Sequence, residues 1–373
     1  MVKIMKLCAA SALLLAVFAM AGCGLRGGAL DLKPSSLAVA PRPAGAYLSM
    51  AVDAGRIHAL YTDPAATTLD LVTLPQNGGA LPSTPPAVEV IDKLDVAAPL
   101  APFFGEHLMA AQDGTVGILY RDRETDTKTV LKLAWKGDGE SAWNLDVLDP
   151  AGDPLCLTPD AKGGFSAAWT SGVISRRNPA GAAGLTVPPI SLSLVGRPQP
   201  TGAEGFTAYD ATTSSLLDFE WNGAGYSAQP VPDGGPVHGS LRTPSGRLEI
   251  ASYDPARRRL LLHEQKGSDG GFSTQTITVC DGTSQVVLLP GRGDSSLVIF
   301  DETRLGGTGR IVSQLSVLGP GSVLGGRGAR YRKGVLSVGD ARIEGFAAAR
   351  TEDSLYVLLS QGSVRLLRIP LYP

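Results

Sequence analysis

From Tyr47 to the C-terminus, apolar stretches are short and are broken by Gly, Pro, Asp and Asn. No segment keeps a 3.6-residue apolar period, so the pattern predicts many strands joined by turns and no long helices. One group of strands reads His107–Gln112, Thr115–Tyr120, Thr129–Trp135 and Ala142–Leu148. Another reads Val237–Leu241, Arg247–Tyr253, Arg259–Glu264 and Phe272–Val279. Val286–Leu289 and Leu297–Phe300 are predicted to flank a further turn.

These strands repeat. A turn, an apolar strand ending in an aromatic residue, and often an Asp recur as Arg56–Asp63, Thr115–Asp122, Phe165–Trp169, Gly205–Asp210, Leu248–Asp254 and Leu297–Asp301. Gly345–Arg350 is a degenerate seventh copy, with Arg350 in the aromatic slot. The slots at 61, 120, 169, 209, 253, 300 and 350 lie 40 to 59 residues apart. A period in that range, filled by four strands per unit, resembles the β-propeller class. The resemblance implies one seven-bladed all-β propeller from residue 46 to 373, with two β-sandwiches as the alternative. Small residues recur in the second strand of the unit (Ala59, Gly117, Ala167, Ala168, Ala208, Ala251, Ala348), where tight packing between blades favours them. No Trp-Asp repeat and no kelch double glycine stand in register. Gln112-Asp113-Gly114-Thr115 approaches the sialidase box but lacks its Ser and Trp.

The N-terminus has a different pattern. Lys3 and Lys6 precede an apolar run from Leu7 to Ala21, and small residues follow. That order predicts a secretory signal over residues 1–22, in a run too short to span a bilayer comfortably. Met20-Ala21-Gly22-Cys23 resembles a bacterial lipobox. The resemblance implies that Cys23 is diacylated and becomes the first residue of a lipoprotein. Two acyl chains suffice for stable membrane residence, where one is marginal. Gly24 stands where Asp would signal inner-membrane retention, which points to the outer membrane of a Gram-negative bacterium. Residues 23–45 hold several prolines and show no clear period, so they read as a flexible tether reaching about 25 Å.

The net charge of −2 becomes −4 once the signal removes Lys3 and Lys6, which gives no electrostatic reason to expect nucleic acid. Charged residues make up 18% of the chain, while Gly (46) and Pro (27) are abundant, as short strands and turns require. Cys156 and Cys280 remain in an oxidising compartment. The repeat puts Cys156 in an inner strand of the third unit and Cys280 at the end of an outer strand of the fifth. That is too far apart for a disulfide, so two free thiols are expected. His58, His107, His238 and His263 lack metal-ligand spacing, and His107 and His238 are expected near the hub on opposite sides. Arg292-Gly293-Asp294 and Arg257-Arg258-Arg259 read as turns. So do the recurrent Asp63, Asp122, Asp210, Asp254 and Asp301. No Gly-x-Ser-x-Gly elbow or phosphate-binding loop occurs, and no catalytic, metal or cofactor residue is assigned. The sequence therefore favours a membrane-anchored envelope propeller with a non-enzymatic binding or scaffolding role toward a protein or glycan. The alternatives are a glycan hydrolase or lyase with acids in the funnel, or a purely structural envelope protein.

Overall fold

A computed structural model describes residues 30–371 with short interruptions, the longest at 95–106 and 321–331. The signal, Cys23 and the first part of the tether lie outside the described residues. Two strands come first, β1 (Leu30–Asp31) and β2 (Ser35–Ala40). The first complete sheet follows, with β3 (Leu48–Asp53), β4 (Arg56–Asp63), β5 (Thr68–Pro75) and β6 (Val88–Lys93). The second holds β7 (His107–Gln112), β8 (Thr115–Thr125), β9 (Lys128–Lys136) and β10 (Asn144–Asp149). The third holds β11 (Pro154–Pro159), β12 (Phe165–Trp169), β13 (Val173–Asn178) and β14 (Gly181–Thr186). The fourth holds β15 (Leu194–Gly202), β16 (Gly205–Asp210), β17 (Ser215–Trp221) and β18 (Tyr226–Val231). The fifth holds β19 (His238–Arg242), β20 (Leu248–Asp254), β21 (Arg259–Lys266) and β22 (Gly271–Val279). The sixth holds β23 (Val286–Pro290), β24 (Ser296–Leu305), β25 (Ile311–Gly319) and β26 (Arg332–Ser337). The last strands are β27 (Gly345–Arg350), β28 (Ser354–Ser360) and β29 (Val364–Pro370).

The fold is an all-β propeller without a described helix. Six sheets have four strands, and one has five because β1 adds in parallel to the outer edge of β26. The innermost strands neighbour one another in the order β3, β7, β11, β15, β19, β23, β27 and back to β3. All of them begin on one side of the ring, here called the upper face.

The core is divided among the gaps between neighbouring sheets. Leu60, Leu69 and Leu71 of the first sheet meet Val116, Ile118 and Tyr120 of the second. Leu108 and Leu133 meet Leu157 and Phe165, and Leu155 and Ala168 meet Phe206 and Ala208. The pattern continues around the ring. Neither face of one sheet is covered by the sheet itself, so apolar burial needs both neighbours. At Gly117 the spacing is tight. A Cβ there would lie 2.8 Å from the Phe165 ring.

Two expectations are corrected. Residues 30–40, read as tether, include two strands. Ser35–Ala40 pairs antiparallel with β29, in register Leu37 to Leu366, and supplies the outer strand of the last sheet. Its Leu37-x-Val39 alternation is short and is flanked by Pro34 and Pro41, which hid it. Because β2 takes the outer place, the three C-terminal strands move inward by one. Gly345–Arg350 is therefore an innermost strand, so Ala348 and Arg350 do not occupy the second-strand slots.

The recurrent Asp residues also divide. Asp63, Asp210 and Asp254 accept backbone N–H bonds from residues two and three positions on, capping their turns. Asp122 pairs with Lys132 instead (2.5 Å). Asp301 accepts from Ser284 N (2.9 Å), Gln285 N (2.8 Å) and both neighbouring hydroxyls, fixing the segment that leads into β23.

Gly117→Val is expected to lower unfolding free energy by about 1–3 kcal/mol, because the Phe165 ring must leave its place. Urea unfolding measures it, and unchanged stability would contradict the packing described.

Candidate functional site

The hub is built from the upper ends of the innermost strands. In β15 the pairing register with β16 jumps between Val195 and Gln199, a bulge centred on Gly196 at φ +78°. A Cβ on Gly196 would lie 2.5 Å from the Pro236 carbonyl oxygen, so the bend requires glycine there. The bulge aims Arg197 across the ring. Its Nη1 donates to the Leu48 carbonyl (3.0 Å) and its Nη2 to Ser49 Oγ (2.9 Å) and to the His107 carbonyl. One guanidinium from the fourth sheet thereby ties the first and second sheets, a task suited to its planar fork of donors.

His107 completes this latch. Its Nε2 lies 3.0 Å from the Tyr47 carbonyl, which can only accept, so Nε2 carries the proton. Its Nδ1 faces Ser49 Oγ at 2.9 Å. Burial, and then the Arg197 charge, push its pKa down to about 3, so the ring is neutral at physiological pH. His238 sits across the hub in β19 with its ring nitrogens near the Pro236 (3.2 Å) and Thr207 (3.4 Å) carbonyls, and burial lowers it to about 4.

Above the latch lies a cavity of about 260 Å³. Tyr47, Arg197, Gln199, His238, Gln285, Arg342 and Glu344 are among its lining residues. The Gln285 amide is held edge to edge with Phe346, donating to its carbonyl (2.5 Å) and accepting from its N–H (3.0 Å). Arg342 and Glu344 are exposed at the rim, and Glu344 accepts from Ser360 Oγ (2.9 Å). Glu344 is the one carboxylate in the described lining.

The other predicted residues lie elsewhere. Cys156 in β11 and Cys280 after β22 are free, buried thiols. Burial pushes both up to about 12, far from a reactive thiolate. His58 faces Thr73, and His263 lies between Ser252 and Thr274, away from the hub. No cluster of three metal-ligating side chains occurs among the described residues. Asp294 of the Arg-Gly-Asp turn accepts from Ser245 N (3.1 Å) and Oγ (2.7 Å), so it is bound to the fifth sheet. Arg257 and Arg259 both reach Asp254, as turn residues do.

No protein-family profile and no curated protein matches the chain. Solved structures do. YCF48 bound to a D1 peptide aligns with TM-score 0.59 at 13% identity, covering 92% of this chain and 96% of that one. An inactive virginiamycin B lyase from Staphylococcus aureus with quinupristin aligns with TM-score 0.58 at 10% identity, covering 90% and 99%. YCF48 from Cyanidioschyzon merolae aligns with TM-score 0.55 at 12% identity, covering 90% and 98%. At such identities the likeness defines the class by fold, a β-propeller.

Proton linkage gives the hub and core a measurable signature. His58 and His263, like His238, are held at about 4 by burial, against an ordinary 6.5. Near pH 5 the unfolded chain protonates these four histidines and the folded one does not. Asp218 acts the other way, since burial and then Glu220 push it up to about 7. Four less one leaves up to three protons favouring the unfolded state, a slope of at most about 4 kcal/mol per pH unit. Stability in urea should therefore fall as pH drops from 6.5 toward 4.5, and a flat profile would contradict the buried neutral histidines.

Proposed function

We propose that this chain is an exported lipoprotein of the cell envelope, diacylated at Cys23, whose propeller binds a protein segment at the upper mouth of its hub without catalysing a reaction. On this reading the five-stranded sheet is itself a blade and the ring has seven. The observation that carries the binding role is the Arg197 latch. It ties three sheets across the hub and lines a cavity of about 260 Å³. That is slightly below the roughly 300–1,000 Å³ usual for small-molecule sites and suits one or two side chains of a partner.

The rim favours a segment carrying a carboxylate, which Arg342 meets while Gln199 and Ser284 offer polar partners. A propeller of similar fold has been solved with a peptide bound, which supports a binding use of such a ring. Glycan hydrolysis by paired acids needs two carboxyl groups within about 5–10 Å of each other, and the described lining offers Glu344 alone. Gly24 after the lipidated cysteine favours the outer membrane.

A photo-crosslinking residue at position 342 in cells is expected to trap one discrete protein adduct, and the same residue at Glu352, on the opposite face, is not. Equal adducts at both positions, or turnover of glycans by the purified protein, would contradict the proposal.

A further inference from the structure

The path of β1 bears on how the propeller sits on its membrane. In the sixth sheet β23 runs down from the upper face, and each later strand reverses, so β26 runs upward. β1 pairs parallel to β26, with Leu30 opposite Gly334 and Asp31 opposite Val335. It therefore also runs upward, and its N-terminal end points to the lower face.

This strand is pinned. Leu32 N donates to the Val335 carbonyl at 3.0 Å, and the Leu32 side chain packs against the core shared by the sixth and seventh sheets. Gly334 makes room for it, since a Cβ there would lie 2.6 Å from Leu32 Cδ1. Seven peptide steps separate Cys23 from Leu30, a reach of at most about 24 Å. The six residues of β26 span about 20 Å from face to face. A bilayer at the upper face would require the chain to double back along the sheet and use most of that reach. One at the lower face requires no reversal.

We propose that the lower corner of the sixth and seventh sheets faces the lipid surface, so that the hub cavity opens away from the bilayer. The inference rests on the Cys23 anchor of the preceding reading and adds an orientation to it. The partner at this corner is the bilayer that holds the acyl chains, and the protein ligand approaches from the opposite side.

The experiment uses the lipidated full-length mature protein in phosphatidylethanolamine–phosphatidylglycerol vesicles with a headgroup nitroxide quencher. A fluorophore is placed at Glu352→Cys in the lower turn between β27 and β28, or at Ala65→Cys in the upper turn between β4 and β5. Both positions are exposed, and Cys156 and Cys280 are buried. Quenching is expected to be several-fold stronger at Glu352→Cys, and equal or reversed quenching would overturn the orientation. Gly334→Leu, which displaces Leu32, should abolish the difference, and a difference that survives it would also overturn the role of β1. Intact mass separates the two readings. Acyl mass with reversed quenching overturns the orientation alone, and absence of acyl mass overturns the anchor and the orientation together.

Discussion

Pairing of β2 with β29 is the interaction on which the rest of this protein depends. A ring of sheets buries its apolar faces only if the last sheet meets the first. Here the last sheet takes three strands from the C-terminus and its outer strand from Ser35–Ala40. Leu37, Val39 and Ala40 then share one core with Leu48 and Ile57 of the first sheet and Leu358 and Leu366 of the last. Ser35–Ala40 and the three C-terminal strands are thus held in one sheet, and the circle cannot open without exposing that core.

Closure gives the hub its geometry. Arg197 reaches Leu48, Ser49 and His107 only because the first, second and fourth sheets are held at fixed distances across the ring. The latch in turn places the Arg197 guanidinium in the wall of the hub cavity of about 260 Å³.

Much of the fold was legible in the chain. Strand positions in the second and fifth sheets follow from alternation and turn residues, and the small residue at Gly117 follows from the repeat. Three features were not legible, each for a physical reason. β2 is a single short strand whose partner lies more than 300 residues away, so no local pattern marks it as part of a sheet. The last repeat is shifted by one strand because that distant strand fills its outer place. Arg197 looks like an ordinary surface arginine. Its signal is Gly196 before it and Pro198 after it inside a strand, the mark of a bulge, and a bulge does not say where the side chain will point. Arg342 and Glu344 stand together just before β27 and Gln285 just before β23, so Gln285 joins the other two only through the topology.

One edge strand, β2, is expected to constrain the whole ring. Hydrogen exchange on Leu37→Asp, which puts a charge into the buried face of β2, tests it most directly. Faster exchange is expected in β28 and β29 and also across the hub, at β3 and in β15 around Arg197. Faster exchange confined to β2 and β29, with the hub as protected as in the wild type, would contradict it.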